Sequence, residues 1–216
     1  MVAAAERALG PEEGAQKGPL RVSVPDELAS GALLGLWGEL VAQRPGIDLK
    51  IFCEDQQIEI ERFSRDLLVR VSHKPPPTAM TLLREVELAV SVVGSPALID
   101  ALQSGEPDDH VLLCAPRKTS EVELGIGPDL SLAFKRTLQV SAITTRINLA
   151  RAGVGVVRCL LPTVADDLAC GRLKELAPEH RITGVKAYIG SPHPRPSEAT
   201  QAIADQIADA LADACD

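Results

Sequence analysis

The sequence predicts an α/β protein of two lobes that face each other across a cleft. Three observations carry that expectation. Gly18–Phe52 reads as strand, helix, strand. A second alternating set of strands and helices starts at Val111. A last strand, Val185–Ile189, leads into a long helix that ends at Ala214. Strands alternating with helices imply mostly parallel pairing and right-handed crossovers.

Each element follows from a local pattern. Leu20-Arg21-Val22-Ser23-Val24 alternates apolar and polar side chains, the period of a half-buried strand. Pro25 and Asp26 break it. Leu28, Leu33, Leu34, Trp37, Leu40 and Val41 recur at three- and four-residue steps, which predicts one helix with one apolar face. Pro45-Gly46 stops that helix, and Ile47, Leu49 and Ile51 give a second strand, a parallel neighbour of the first. In such sheets ligands bind beyond the carboxyl ends of strands, beside helix N-termini. That point is Val24–Ser30 here.

Cys53–Ser64 reads as a weak helix or an irregular connection, and Arg65–Ser72 as a buried strand. Asp66 beside Arg65 and Arg70 reads as a structural ion pair. His73-Lys74-Pro75-Pro76-Pro77 is a stiff loop, since each proline fixes φ. Thr81–Val93 is extended, and Ser95-Pro96 starts a helix to about Gln103. Val111–Cys114, Glu121–Gly127 and Leu138–Ala142 are strands. Thr144-Thr145 cap a helix through Arg151, and Gly153 and Gly155 turn the chain tightly into the next strand. Leu161-Pro162-Thr163 opens a short helix closed by Gly171; Leu173–Leu176 is a short strand; Pro196-Ser197 starts the last helix. Met1–Lys17 is a linker remnant, too short for a stable helix alone.

Composition excludes several classes. The 216 residues are 45% hydrophobic but only 2% aromatic, so the core is aliphatic and base-stacking surfaces are not expected. The net charge is −8 without a Lys/Arg cluster, whereas neutralising DNA phosphates needs a basic face. The cysteines number 5 and are widely spaced, with no Cys/His pattern for zinc, as for incidental thiols in a reducing cytoplasm. Met1–Gly18 has no apolar signal core, and no apolar run approaches the roughly 20 residues of a membrane span. A cytoplasmic protein without membrane contact is expected. Phosphate-cradling glycine motifs, GxSxG and HExxH are lacking, so neither an enzyme nor a bound cofactor is expected.

Six segments in order carry a family resemblance. They are Gly18–Pro25, Pro45-Gly46-Ile47-Asp48-Leu49, Asp66–Arg70, Val92–Leu98 with Gly105–His110, Ala150–Val157 with Leu161-Pro162, and Gly171-Arg172-Leu173. Together they resemble the effector-binding domain of LysR-type transcriptional regulators over about Gly18–Ala214. The resemblance implies two Rossmann-like lobes joined by two crossover strands, as in type II periplasmic binding proteins. Lobe I would be residues 18–88 and 190–216, and lobe II residues 89–189. The crossing strands, near Glu87–Val93 and Lys186–Ile189, would form the hinge. A small-molecule effector would bind between the lobes. The Leu33–Val41 helix would meet lobe II of a partner in a homodimer, with a homotetramer in the full-length regulator. The family's winged helix-turn-helix has no counterpart in these residues, so DNA contact would run through that separate domain. An enzyme or a transport-type binding protein on the same two-lobed fold is the alternative.

The expected effector-binding residues are Pro25, Asp26 and Glu27 at the first helix, Ser72 and His73 after the third strand, and Thr144, Thr145 and Arg146 at the second-lobe helix. Each also has an ordinary role. Asp26 and Glu27 suit a helix start, where carboxylates meet the positive end of the dipole. Two carboxylates there oppose an anion, which leaves room for a neutral or cationic effector. His73 suits a solvated loop or a pH-sensitive contact. Thr144 and Thr145 suit a cap, and Arg146 could pair with Asp26 or a ligand carboxylate.

Overall fold

The computed structural model describes residues 18–54, 65–74, 80–104, 110–117, 122–126 and 131–215. The expectations for the linker remnant, the 55–64 connection, the three prolines after Lys74, the 105–109 loop, and residues 121 and 127 lie outside them.

Strand β1 (Leu20–Val24) lies between β2 (Leu49–Cys53) and β3 (Leu67–Ser72), parallel to both. The connection from β1 to β2 is not one helix. It is α1 (Asp26–Ser30), a turn, and α2 (Leu34–Gln43). The break falls at Gly31, where a Cβ would sit 2.6 Å from Thr163 Cγ2 and 2.8 Å from its Cα. Close approach to another part of the chain, invisible in a helical period, sets the break. Trp37 anchors the bend from the α2 side, its Nε1–H donating to Ala29 O at 3.0 Å.

Two long strands join the halves of the sheet. They are β4 (Thr81–Gly94) and β11 (Ile182–Ser191), paired antiparallel with Lys186 opposite Glu87. Beyond Leu88, β4 leaves most of its pairing with β11 and takes β9 (Val156–Leu160) as antiparallel partner. The order β2-β1-β3-β11-β4-β9-β5-β8 is therefore one hydrogen-bonded path, with β5 (Val111–Cys114) parallel to β9 and β8 (Arg136–Gln139). Pairing is parallel among β1, β2 and β3 and among β5, β8 and β9. It is antiparallel where the chain crosses between them, because the crossing is made by strands and not by helices. The short β10 (Lys174–Glu175) adds to β4, and β6 (Val122–Gly125) pairs with β7 (Ser131–Phe134) in a separate ribbon.

Side-chain alternation puts neighbouring residues on opposite faces. In the first half Leu67, Val69, Ala187 and Ile189 join one large core with α1, α2 and α6 (Glu198–Asp213), while Leu68 and Tyr188 face the other way onto Met80. In the second half Val92, Leu112 and Val156 pack toward α3 (Pro96–Ser104), and Val93, Leu113 and Val157 toward α4 (Ile143–Arg151). This mixed α/β architecture is that of type II periplasmic binding proteins.

Polar anchors hold the frame. Asp66 accepts from Arg21 N at 2.8 Å, and Arg65 pairs with Glu54 at 2.6 Å. Arg70 turns to Ser23 Oγ at 2.9 Å. In the second half the buried Asp167, on α5 (Ala165–Ala169), accepts from Arg151 at 2.6 Å and Arg172 at 2.7 Å. The last helix is capped as expected, Ser197 Oγ accepting from Thr200 N at 3.1 Å.

Candidate functional site

The carboxyl ends of β1, β3 and β9 converge beside the N-terminal turns of α1 and α4, and there lies a cavity of about 450 Å³. Its size suits a metabolite. Five of the expected residues line it: Pro25, Glu27, Ser72, His73 and Arg146. Asp26, Thr144 and Thr145 are not among its walls.

The helix starts explain the difference. Pro25, not Asp26, is the N-cap of α1, and no side chain caps that end. Asp26 and Glu27 occupy successive helical positions, about 100° apart, so only one can face the cavity. In α4 the N-cap is Ala142, and Thr144 and Thr145 cap nothing. The cavity instead meets Ile143 and Arg146, one turn apart on a single face.

Glu27 reaches across the two halves, its Oε1 accepting from Leu160 N at 2.5 Å. His73 is exposed, with Nδ1 3.2 Å from Gly184 O. Gly184 has φ +76° and sits in a register shift of β11 between Ile182 and Val185. The bulge re-aims the strand, and both Ile182 and Val185 then line the cavity. Ser72 Oγ accepts from Lys74 N at 3.0 Å, which turns the chain away at the end of β3.

Sequence reasoning missed the β9 wall. Arg158, Cys159 and Leu160 all line the cavity, although Val156–Cys159 reads as a core strand. Arg158 was the available signal, a charge inside an otherwise apolar run. Val71, Val90, Ile143 and Leu160 complete an aliphatic lining with Ile182 and Val185. Burial pushes the Cys159 thiol well up, helped by the Glu27 and Glu175 carboxylates and opposed by Arg146. It is therefore a protonated, unreactive thiol at neutral pH.

The carboxylates behind the wall are already held. Glu175 accepts from Arg181 at 2.5 and 2.9 Å, and although burial alone would raise its pKa, this pairing brings it below the ordinary range. Asp167 is held by Arg151 and Arg172 in the same way. Among the described residues no group of three or more His, Cys, Asp or Glu could hold a metal. No helix among them is long and apolar enough to cross a membrane.

The cavity lies where the two long strands β4 and β11 meet β9 and the ends of β1 and β3. Residues 13–212 match the family model described as the LysR substrate binding domain. No curated protein matches the chain. Among solved structures, the effector domain of the transcriptional regulator AmpR of Pseudomonas aeruginosa superposes with a TM-score of 0.64 at 18% identity, covering 91% of this chain and 96% of that one. The regulatory domain of AphB from Vibrio vulnificus, treated with cumene hydroperoxide, gives 0.65 at 18% identity, covering 88% and 98%. Full-length AphB of Vibrio cholerae, a virulence activator, gives 0.64 at 16% identity, covering 94% of this chain and 69% of that one. At these identities the likeness speaks to the fold.

Proposed function

This chain belongs to the family of LysR substrate binding domains, and from that membership we propose that it is the ligand-sensing regulatory domain of a LysR-type transcription regulator, with the cavity as its effector site. One observation carries the reading. The cavity draws its walls from Pro25 and Glu27 in one half, Arg146 and Leu160 in the other, and Val90 and Ile182 in the long strands between. A molecule bound there touches every part whose relative angle could change. Its occupancy becomes a signal if the two arrangements bind it with different affinity. The fold and the cavity walls support lobes at residues 18–88 with 190–216 and at 89–189, and a hinge near Glu87–Val93 and Lys186–Ile189.

The partner contact belongs to α2. Leu34 and Val41 are 63% and 56% exposed on one helix face, and Gly38 between them leaves that face flat. Leu33, expected to share that face, is fully buried. A second copy of the chain covering Leu34 and Val41 would give the dimer. DNA contact would lie outside these residues, and the regulator would act in the cytoplasm without a catalytic step.

A metabolite screen by thermal denaturation tests the reading. An effector raises the melting temperature saturably and is recovered chemically unchanged. A Val90→Trp substitution, which fills the cavity, cancels the response. Turnover of the bound molecule, or a response indifferent to Val90→Trp in a folded variant, would contradict it.

A further inference from the structure

We infer that the cavity selects a small monoanionic molecule, a carboxylate with an aliphatic body, and that Arg158 is the residue that selects it. The inference rests on the cavity being the effector site. Among the described residues its walls carry two guanidiniums, Arg146 and Arg158, against one carboxylate, Glu27. Glu27 is committed to the Leu160 N–H at 2.5 Å, which neutralises part of its field and points that oxygen at the protein backbone. Asp26, the second carboxylate that the sequence placed here, is not a wall. Behind the wall, Glu175 and Asp167 are bound to arginines of their own. No described acidic side chain pairs with Arg158, although it is the charged residue of an otherwise apolar strand. The balance is one unit positive, which matches one ligand negative charge better than two.

The rest of the surface sets the body. Six aliphatic side chains and a protonated thiol form most of the rest of the wall, and no Phe, Tyr or Trp among the described residues lines it. An aromatic body would find no ring to stack on, while an alkyl chain would gain burial at each methylene. The guanidinium plane offers a carboxylate two parallel N–H donors, a geometry that an alcohol or amine cannot use.

The probes are straight-chain carboxylates from butyrate to octanoate, with the matched alcohols and amines at equal ionic strength, followed by thermal denaturation of the whole chain. The carboxylates should raise the melting temperature saturably, by several degrees at about 100 times Kd, with affinity growing with chain length. The alcohols and amines should lag by about tenfold or more in affinity. Arg158→Gln should abolish the preference for carboxylate over alcohol, and Arg158→Lys should keep part of it. Circular dichroism confirms that each variant is folded. Equal responses to carboxylate and alcohol, or a preference that survives Arg158→Gln, overturn the assignment while Val90→Trp still blocks binding and the site stands. A carboxylate response untouched by Val90→Trp overturns the site as well. Silence from all three probe series overturns the inference outright.

Discussion

Replacing Glu27 by alanine removes a side-chain bond that ties α1 to β9. Its Oε1 accepts from Leu160 N at 2.5 Å, and Leu160 is 6% exposed. Alanine leaves that N–H without its acceptor, and an orphaned buried donor costs about 1–3 kcal/mol. Leu160 borders the cavity, so water can take up part of the loss, which puts the cost in the lower half, about 1–2 kcal/mol. For a chain of this size 1 kcal/mol moves Tm by about 2–4 °C, so a fall of about 2–8 °C is expected. Glu27→Gln keeps an amide oxygen at the same reach. It exchanges a charge-assisted bond for a neutral one and should cost about half as much. Urea denaturation of the three proteins, read by circular dichroism, measures the difference. Equal losses for alanine and glutamine would mean that the acceptor is not what matters. A loss for Glu27→Ala below about 0.5 kcal/mol, the range of ordinary surface substitutions, would mean that the bond is not made in solution.

Three further outcomes follow from other parts of the molecule. Burial alone would raise the Asp167 pKa, but the Arg151 and Arg172 hydrogen bonds outweigh it and hold the carboxyl below its ordinary range. A depressed folded pKa contributes stability above the unfolded value, near 4, that is lost as pH falls through the folded one; the urea midpoint gap between the natural chain and Asp167→Asn should therefore be full at pH 6 and close below about pH 4. Gly155→Ala places a Cβ against Val111 O and 3.1 Å from Leu113 Cγ, and such overpacking should cost about 1–3 kcal/mol in the same assay. Leu34→Asp with Val41→Asp should shift sedimentation equilibrium toward the monomer while leaving unfolding within about 0.5 kcal/mol, because both side chains are exposed.

Period and punctuation made much of the fold legible. Alternation marked β1 and β2, an apolar run bounded by charges marked β3, Pro45-Gly46 marked the end of α2, and the Ser197 cap marked α6 to within a residue. What escaped was set by contacts between distant segments. Gly31 breaks the helix because Thr163 lies against it, whereas the short strand β10 falls within Leu173–Leu176 as the sequence predicts. The ribbon strand β7 has too short a period to read. For the site, the carboxyl-end rule led to the place where the cavity lies and to five of its lining residues. It could not tell Asp26 from Glu27, or Thr144 from Arg146, because the phase of a helix depends on where its first turn begins. A cap misplaced by two residues rotates every later side chain by about 200°. The β9 wall was hidden for another reason. A strand that ends at a cleft is as apolar as one that ends in a core, and only Arg158 departs from that pattern.

The central claim is that occupancy of one cavity couples the two halves of the chain. Hydrogen exchange, followed by mass spectrometry with and without the first metabolite that raises Tm, tests it most directly. Slowed exchange should appear together at the ends of β1, β3 and β9, at the first turn of α4, and along the β4–β11 crossing. Slowing confined to one half, or absent from the crossing strands, would contradict the account.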